Sequence, residues 1–232
     1  MDEIADPAIA RHSVRFFKTG KGEYGEGDRF LGIRVPVLRA MARANWTISL
    51  TEVRKLLASP YHEVRHCALF LLVEQYQRGS QPAKNAVYTT YMRDLRYVNN
   101  WDLVDSSAYR IVGPHLETRS RKPLDRLVAS PNLWRRRVAV IATLHFIKQG
   151  DFAEILRFAE RLLDDEQDLI HKAVGWMLRE MGRVDRKTLT AFLQTNAPTM
   201  PRTMLRYAIE RYPEPMRKRF LALPSSRAAR QA

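Results

Sequence analysis

Cysteine is almost absent from this 232-residue chain: Cys67 stands alone, inside the apolar run CALFLLV. One thiol forms no internal disulfide and no thiolate metal cluster, and apolar neighbours mark it as a buried, inert side chain. Long hydrophobic runs are missing as well. No stretch approaches the roughly 20 apolar residues that span a bilayer, and MDEIADPAIARHSVRFF lacks the charged start and apolar core of a secretory signal. A cytoplasmic protein with no membrane partner is therefore expected. Acidic residues are also in short supply, with 25 Asp and Glu against 39 Lys and Arg, a net charge of +14 and a pI near 10.3. That imbalance implies a polyanionic partner, nucleic acid ahead of an anionic membrane surface. The cations are spread along the chain, as an extended surface on a folded body requires and a basic arm does not.

Strands flanked by hairpin turns are not found; helical spacing fills the chain instead. Leu124, Leu127 and Val128, then Val138, Ile141, Ala142 and Phe146, then Ile170, Val174, Met177 and Leu178 recur at intervals of three and four. Breakers separate these segments, among them SP at 59 and at 130, GP at 113 and the prolines at 198, 201, 213 and 215. An internal repeat emerges when SPYHEVRHCALFLL from Ser59 is laid on SPNLWRRRVAVIAT from Ser130 and on LLDDEQDLIHKAVGWML from Leu162. Ala68, Ala108, Ala139, Ala173 and Ala208 then fall in register at about 30 to 40 residues, the period of two-helix solenoid repeats. The expected fold is an all-α solenoid, one repeat domain over residues 1–223 with a concave basic groove. A basic tail at 224–232 follows, expected either to add nonspecific affinity or to be disordered. Residues two and three before each alanine, from Arg65 and His66 to Leu205 and Arg206, are mostly polar and should line one surface, with Asp105 its one carboxylate.

NNWDLVD at 99 to 105 sets Trp101 and Asp105 four residues apart, so a helix presents an aromatic plate and a carboxylate on one face. HEVRH at 62 to 66 matches the zinc-hydrolase motif H-E-x-x-H, yet Leu69 and Leu72 stand where a metzincin has glycine and its third histidine. Surface or groove histidines are expected there, and no metal. GKGEYGEGDRFLGIR at 20 to 34 has glycines but no preceding strand, so it reads as a flexible loop entering a helix through Pro36, with Tyr24 and Arg34 near the groove rim. Arg34 is suited equally to a minor groove and to solvent. In WRRRVAV the i, i+3 spacing aligns Trp134 with Arg137, whose fork suits two phosphate oxygens, while Arg135 and Arg136 point elsewhere. In HKAVGWMLRE, Lys172, Trp176 and Arg179 share a face, and Gly175 thins the helix for a close approach by backbone or ligand.

NNWDLVDS, NLWRRRVAV and HKAVGWMLRE, in this order and at these separations, resemble the AlkD-like family of DNA alkylation repair glycosylases, built of HEAT-like repeats. The similarity spans residues from about 15 to 212. It implies excision of cationic N3- and N7-alkylated purines from double-stranded DNA, without a base-flipping pocket and without a cofactor. It also implies catalytic roles for Trp101, Asp105 and Trp176, and a phosphate clamp for Arg137. Arg136, Lys172, Arg179, Arg206, Arg34 and Tyr24 are the further expected DNA contacts, made by a monomer. The alternative is a noncatalytic HEAT-repeat protein that binds bent or branched DNA.

Overall fold

Thirteen α-helices follow one another among residues 2–223, which are the residues described by the structure, a computed structural model. The expected tail at 224–232 lies outside them. The chain divides into two compact units, Met1–His115 and Leu116–Ala232. Unit 1 holds α1 (Pro7–Phe16), α2 (Val35–Ala44), α3 (Leu50–Leu57), α4 (His62–Arg78), α5 (Gln81–Arg93) and α6 (Trp101–His115). Unit 2 holds α7 (Lys122–Val128), α8 (Leu133–Ile147), α9 (Ala153–Arg161), α10 (Asp168–Val184), α11 (Arg186–Asn196), α12 (Arg202–Ala208) and α13 (Glu214–Leu221). Strands are absent among the described residues; one isolated parallel bridge joins Arg29 to Tyr61.

Helix starts follow local chemistry. Asp6, Ser49, Asn132 and Asp185 stand before α1, α3, α8 and α11, and each accepts amide hydrogens from the first turn through its side chain. Pro7, Pro36, Pro82, Pro123 and Pro215 sit in first turns, where the missing N–H costs nothing. The two SP dipeptides also have a shared geometry. Ser59 Oγ accepts from Tyr61 N and Ser130 Oγ from Asn132 N, both at 3.2 Å, so each serine turns the chain into its helix.

Helices pair in order, α3 with α4, α5 with α6, α7 with α8 and α9 with α10. The even-numbered members stack on one another, α2 on α4 on α6 in unit 1 and α8 on α10 on α12 in unit 2. The alanine register marks the row of each unit: Ala68 and Ala108 lie on α4 and α6, Ala139, Ala173 and Ala208 on α8, α10 and α12, and all five are buried. α4 and α10 are enclosed by neighbours on several sides, and Leu69, Leu72, Val174 and Met177 are wholly buried.

Gly175 shows why a small residue is needed in this row. A β-carbon there would lie 2.5 Å from Met204 O and 2.6 Å from Tyr207 Cβ, so the close approach is to the backbone of α12. Gly175→Ala is expected to lower stability by about 1–3 kcal/mol through overpacking, despite alanine's better helix propensity. A shifted denaturant midpoint at constant slope is the measurement; equal or greater stability would disprove the tight contact.

Candidate active site

α6 begins where three side chains fasten it. Asn100, wholly buried, accepts from Trp101 N through Oδ1 at 2.8 Å and donates from Nδ2 to Asp28 at 3.2 Å. Asp102 accepts from Leu103 N at 2.8 Å, which suits a carboxylate at a helix N-terminus. Four residues along, Asp105 repeats the face of Trp101, and both side chains are half-buried. Tyr91 of α5 is wholly buried, its hydroxyl bonded to Ser107 Oγ at 2.9 Å. Burial pushes that phenol upward, and the nearby Asp105 carboxylate adds to the shift. Trp101 is backed by rings, stacking on Phe17 at 5.4 Å and meeting Phe16 edge-on at 5.9 Å. An aromatic ring and a carboxylate one turn apart, held against a rigid backing, can face a cationic ligand together.

The histidines of HEVRH are not on the surface. His62 and His66 are 2% and 3% exposed and face α6 from α4. His62 lies between two carboxylates, Nδ1 at 3.0 Å from Asp28 and Nε2 at 2.8 Å from Asp102. With a carboxylate at each nitrogen, the ring must donate from both and is an imidazolium. Burial alone would lower its pKa, but the charges and hydrogen bonds of Asp102 and Asp28 raise it to about 9. His66, bonded to Ser106 Oγ at 3.1 Å and stacked on Phe70, goes the other way. Burial brings it down to about 4 despite the pull of Asp102, helped by the charges of His62 and Arg39. Asp28 and Asp102 are held below the usual carboxylate range; burial opposes this, and His62, with Arg65 on Asp28, outweighs burial.

Glu63, the motif's would-be water activator, is turned to the glycine loop. Its carboxylate accepts from Leu31 N at 3.0 Å, Gly32 N at 2.8 Å and Ile33 N at 3.4 Å. The loop expected to be flexible is therefore tied down, by Glu63, by Asp28 and by the bridge to Tyr61. Gly32 has φ +82°, and a β-carbon there would collide with Asp6 O, which accounts for this glycine. His62, His66 and Asp102 present three ligand atoms within 4.8 Å and are the described residues grouped closely enough to hold a metal ion. Two cations, His62 and Arg65, already balance two carboxylates, Asp28 and Asp102. A divalent ion would have to displace the His62 proton.

Unit 2 holds the other expected site residues. Arg137 of α8 is 5% exposed and donates to Leu169 O at 2.5 Å, which fixes its guanidinium against α10. Arg136 is less available than expected. It donates to Ser130 O at 2.9 Å and Pro131 O at 2.8 Å and pairs with Asp165 at 2.7 Å, so it fastens the α8 start. Arg65 does the same in unit 1, bonding Ser59 O six residues back and pairing with Asp28, and His171 reaches Asp165 O in the same manner. Before Ala68, Ala139 and Ala173 these residues thus turn inward, because the turn that leads into each helix leaves a carbonyl that needs a donor. On α10, Trp176 is half-buried and donates to Glu180 at 3.2 Å, Lys172 pairs with Asp168 at 2.7 Å, and Arg179 with Glu210. Arg206 is exposed on α12. Back in unit 1, Arg34 is exposed before α2, and Tyr24 donates to Phe16 O at 3.3 Å. The pairing of Trp101 with Asp105 was readable from spacing, whereas Asp28, Phe17 and Phe30 carry no sequence signal that would have joined them to the site.

These features define a class: an all-helical repeat protein that sets a backed aromatic ring and a carboxylate on one helix face. The chain belongs to the DNA alkylation repair enzyme family, whose sequence profile matches residues 1–212. DNA is accordingly its substrate, and repair of alkylated DNA its task. Among solved structures it is similar to one described as a predicted DNA alkylation repair enzyme from Enterococcus faecalis. The TM-score is 0.68 and the identity 17%, over 90% of this chain and 97% of that one, a likeness of fold. No curated protein sequence matches the chain. Among the described residues no helix is long and apolar enough to cross a membrane.

Proposed function

We propose that the protein is a cytoplasmic, monomeric and monofunctional DNA glycosylase that hydrolyses the N-glycosidic bond of cationic N3- and N7-alkylated purines. The observation that carries this is the Trp101 and Asp105 face of α6, anchored by Asn100 and backed by Phe17. An alkylated purine already bears positive charge and leaves as a neutral base, so its departure needs little acid catalysis. What needs help is the sugar. As the bond breaks, an oxocarbenium-like cation grows, and water adds to it with loss of one proton. Asp105 stabilises that cation and orients the water or takes its proton. Trp101 offers an electron-rich face to the same charge, and Trp176 is assigned the corresponding task in unit 2. Neither assignment requires a deep base pocket or a cofactor.

Arg137 is assigned to a backbone phosphate, supported by a guanidinium already fixed by Leu169 O, which leaves less freedom to lose on binding. Lys172, Arg206, Arg34 and Tyr24 serve as further backbone contacts. Arg136 and Arg179 are given a supporting role, since their forks are committed to Asp165 and Glu210. The test is incubation with duplex DNA methylated at N7 of guanine and N3 of adenine, followed by chromatography of free bases. Release of 7-methylguanine or 3-methyladenine with an intact phosphate backbone is the expected result. Tight, salt-sensitive binding of junction DNA without any base release would instead establish the noncatalytic alternative.

A further inference from the structure

His62 is connected to Trp101 by two routes. The first is polar: His62 binds Asp102, the residue after Trp101, and shares Asp28 with Asn100, whose side chain accepts from Trp101 N. The second runs through rings. Phe17 stacks on Trp101 and stands 4.9 Å from His62, while Phe30 stacks on both Phe17 and His62 at 5.2 and 4.8 Å. The cationic imidazole lies beside both phenyl rings, the three centroids about equally spaced, and adds attraction in a site closed to solvent. α1 brings Phe16, the glycine loop brings Asp28 and Phe30, and α6 brings Asp102 and Trp101. Of these, Asp28, Phe30 and Asp102 meet one α4 side chain, His62, and Trp101 is joined to it through Phe17.

We propose that His62 is a positioning residue for Trp101, a doubly donating imidazolium clamp that holds the start of α6 and the ring backing in the geometry the reacting face needs. The assignment rests on the glycosylase reading for its effect on catalysis, but the positioning itself has an independent readout. The titratable and charged groups around His62 are Asp28 from the loop, Asp102 from α6, neutral His66 from its own helix, and Arg65, which pairs with Asp28; Arg39 of α2 acts on the neighbouring His66. Because the His62 pKa is raised, the clamp is fully formed below the unfolded value near 6.5 and is lost as pH rises through about 9.

The experiment labels the protein with 5-fluorotryptophan and follows the Trp101 resonance, assigned with Trp101→Phe, from pH 6 to pH 10. In the wild type, which needs no variant to be informative, that resonance should move with a midpoint near pH 9. His62→Gln places a carbonyl against one carboxylate, so its Trp101 resonance should be displaced at neutral pH and show no such transition. Pairing it with Asp102→Asn restores a donor for each acceptor without a proton, and the double variant should keep the wild-type position up to pH 10. In base release, His62→Gln should lower kcat by up to about 10²-fold, as small misplacements do, with KM little changed. A Trp101 resonance indifferent to pH and to His62→Gln would overturn the clamp, as would zinc binding that displaces one proton and shifts that resonance. Failure of the wild type to release any base, with the resonance behaving as described, would sink the glycosylase reading and leave the clamp standing.

Discussion

Replacing Asp105 by asparagine should slow release of 7-methylguanine from methylated duplex DNA by about 10² to 10³-fold, the usual loss when a group stabilising transition-state charge or handling a proton is removed. Asparagine keeps the size and one acceptor of the side chain, so the bonding of Ser107 to Tyr91 is left intact. What disappears is the negative charge that meets the growing sugar cation. Because the charge acts in the transition state, kcat should carry the loss, and the affinity for intact methylated DNA should hold or rise slightly as one carboxylate is removed from a surface that meets phosphate. Arg137→Ala should behave differently, weakening DNA binding as well as excision. Single-turnover release with fluorescence anisotropy on the same oligonucleotides separates the two. Undiminished release by Asp105→Asn would remove the carboxylate from the mechanism, and equal binding losses in both variants would contradict the division of roles.

What made the fold readable was repetition. Five alanines in register and two SP starts reported close packing and a common helix entry, and both are properties of local sequence. Trp101 and Asp105 were readable for the same reason, since a helix fixes which residues share a face. The surroundings of that face were not. Asp28 lies 34 residues before His62 in sequence terms and 40 separate His62 from Asp102, so the cluster depends on how the loop and two helices meet. The basic positions before each alanine illustrate a different difficulty. Spacing identifies their direction, but Arg65 and Arg136 bend back to carbonyls six residues earlier, and a carboxylate from a distant segment completes each. Counting charge along the sequence overstates what such residues offer to a partner.

HEVRH poses the sharpest question about motif and structure, and Glu63 answers it by experiment. In a zinc hydrolase, replacing the motif glutamate removes activity and leaves folding nearly untouched. Here Glu63→Ala should instead cost stability on the order of 3–5 kcal/mol, because a buried carboxylate accepting charge-assisted hydrogen bonds is lost and its donors are stranded. Those donors are Leu31 N, Gly32 N and Ile33 N, three consecutive amides where the chain is fixed by the left-handed Gly32 and enters α2. Nothing else in the same position could serve all three, since Glu63 is itself 5% exposed and water has little access. Glu63→Gln, which replaces one acceptor by a donor facing an amide, should fall between alanine and wild type. Urea unfolding measures both, and proteolysis within residues 20–34 should quicken in the alanine variant as the loop is released. A Glu63→Ala protein as stable as the wild type would show that the three amides find other acceptors and that Asp28 and the bridge to Tyr61 hold the loop without Glu63.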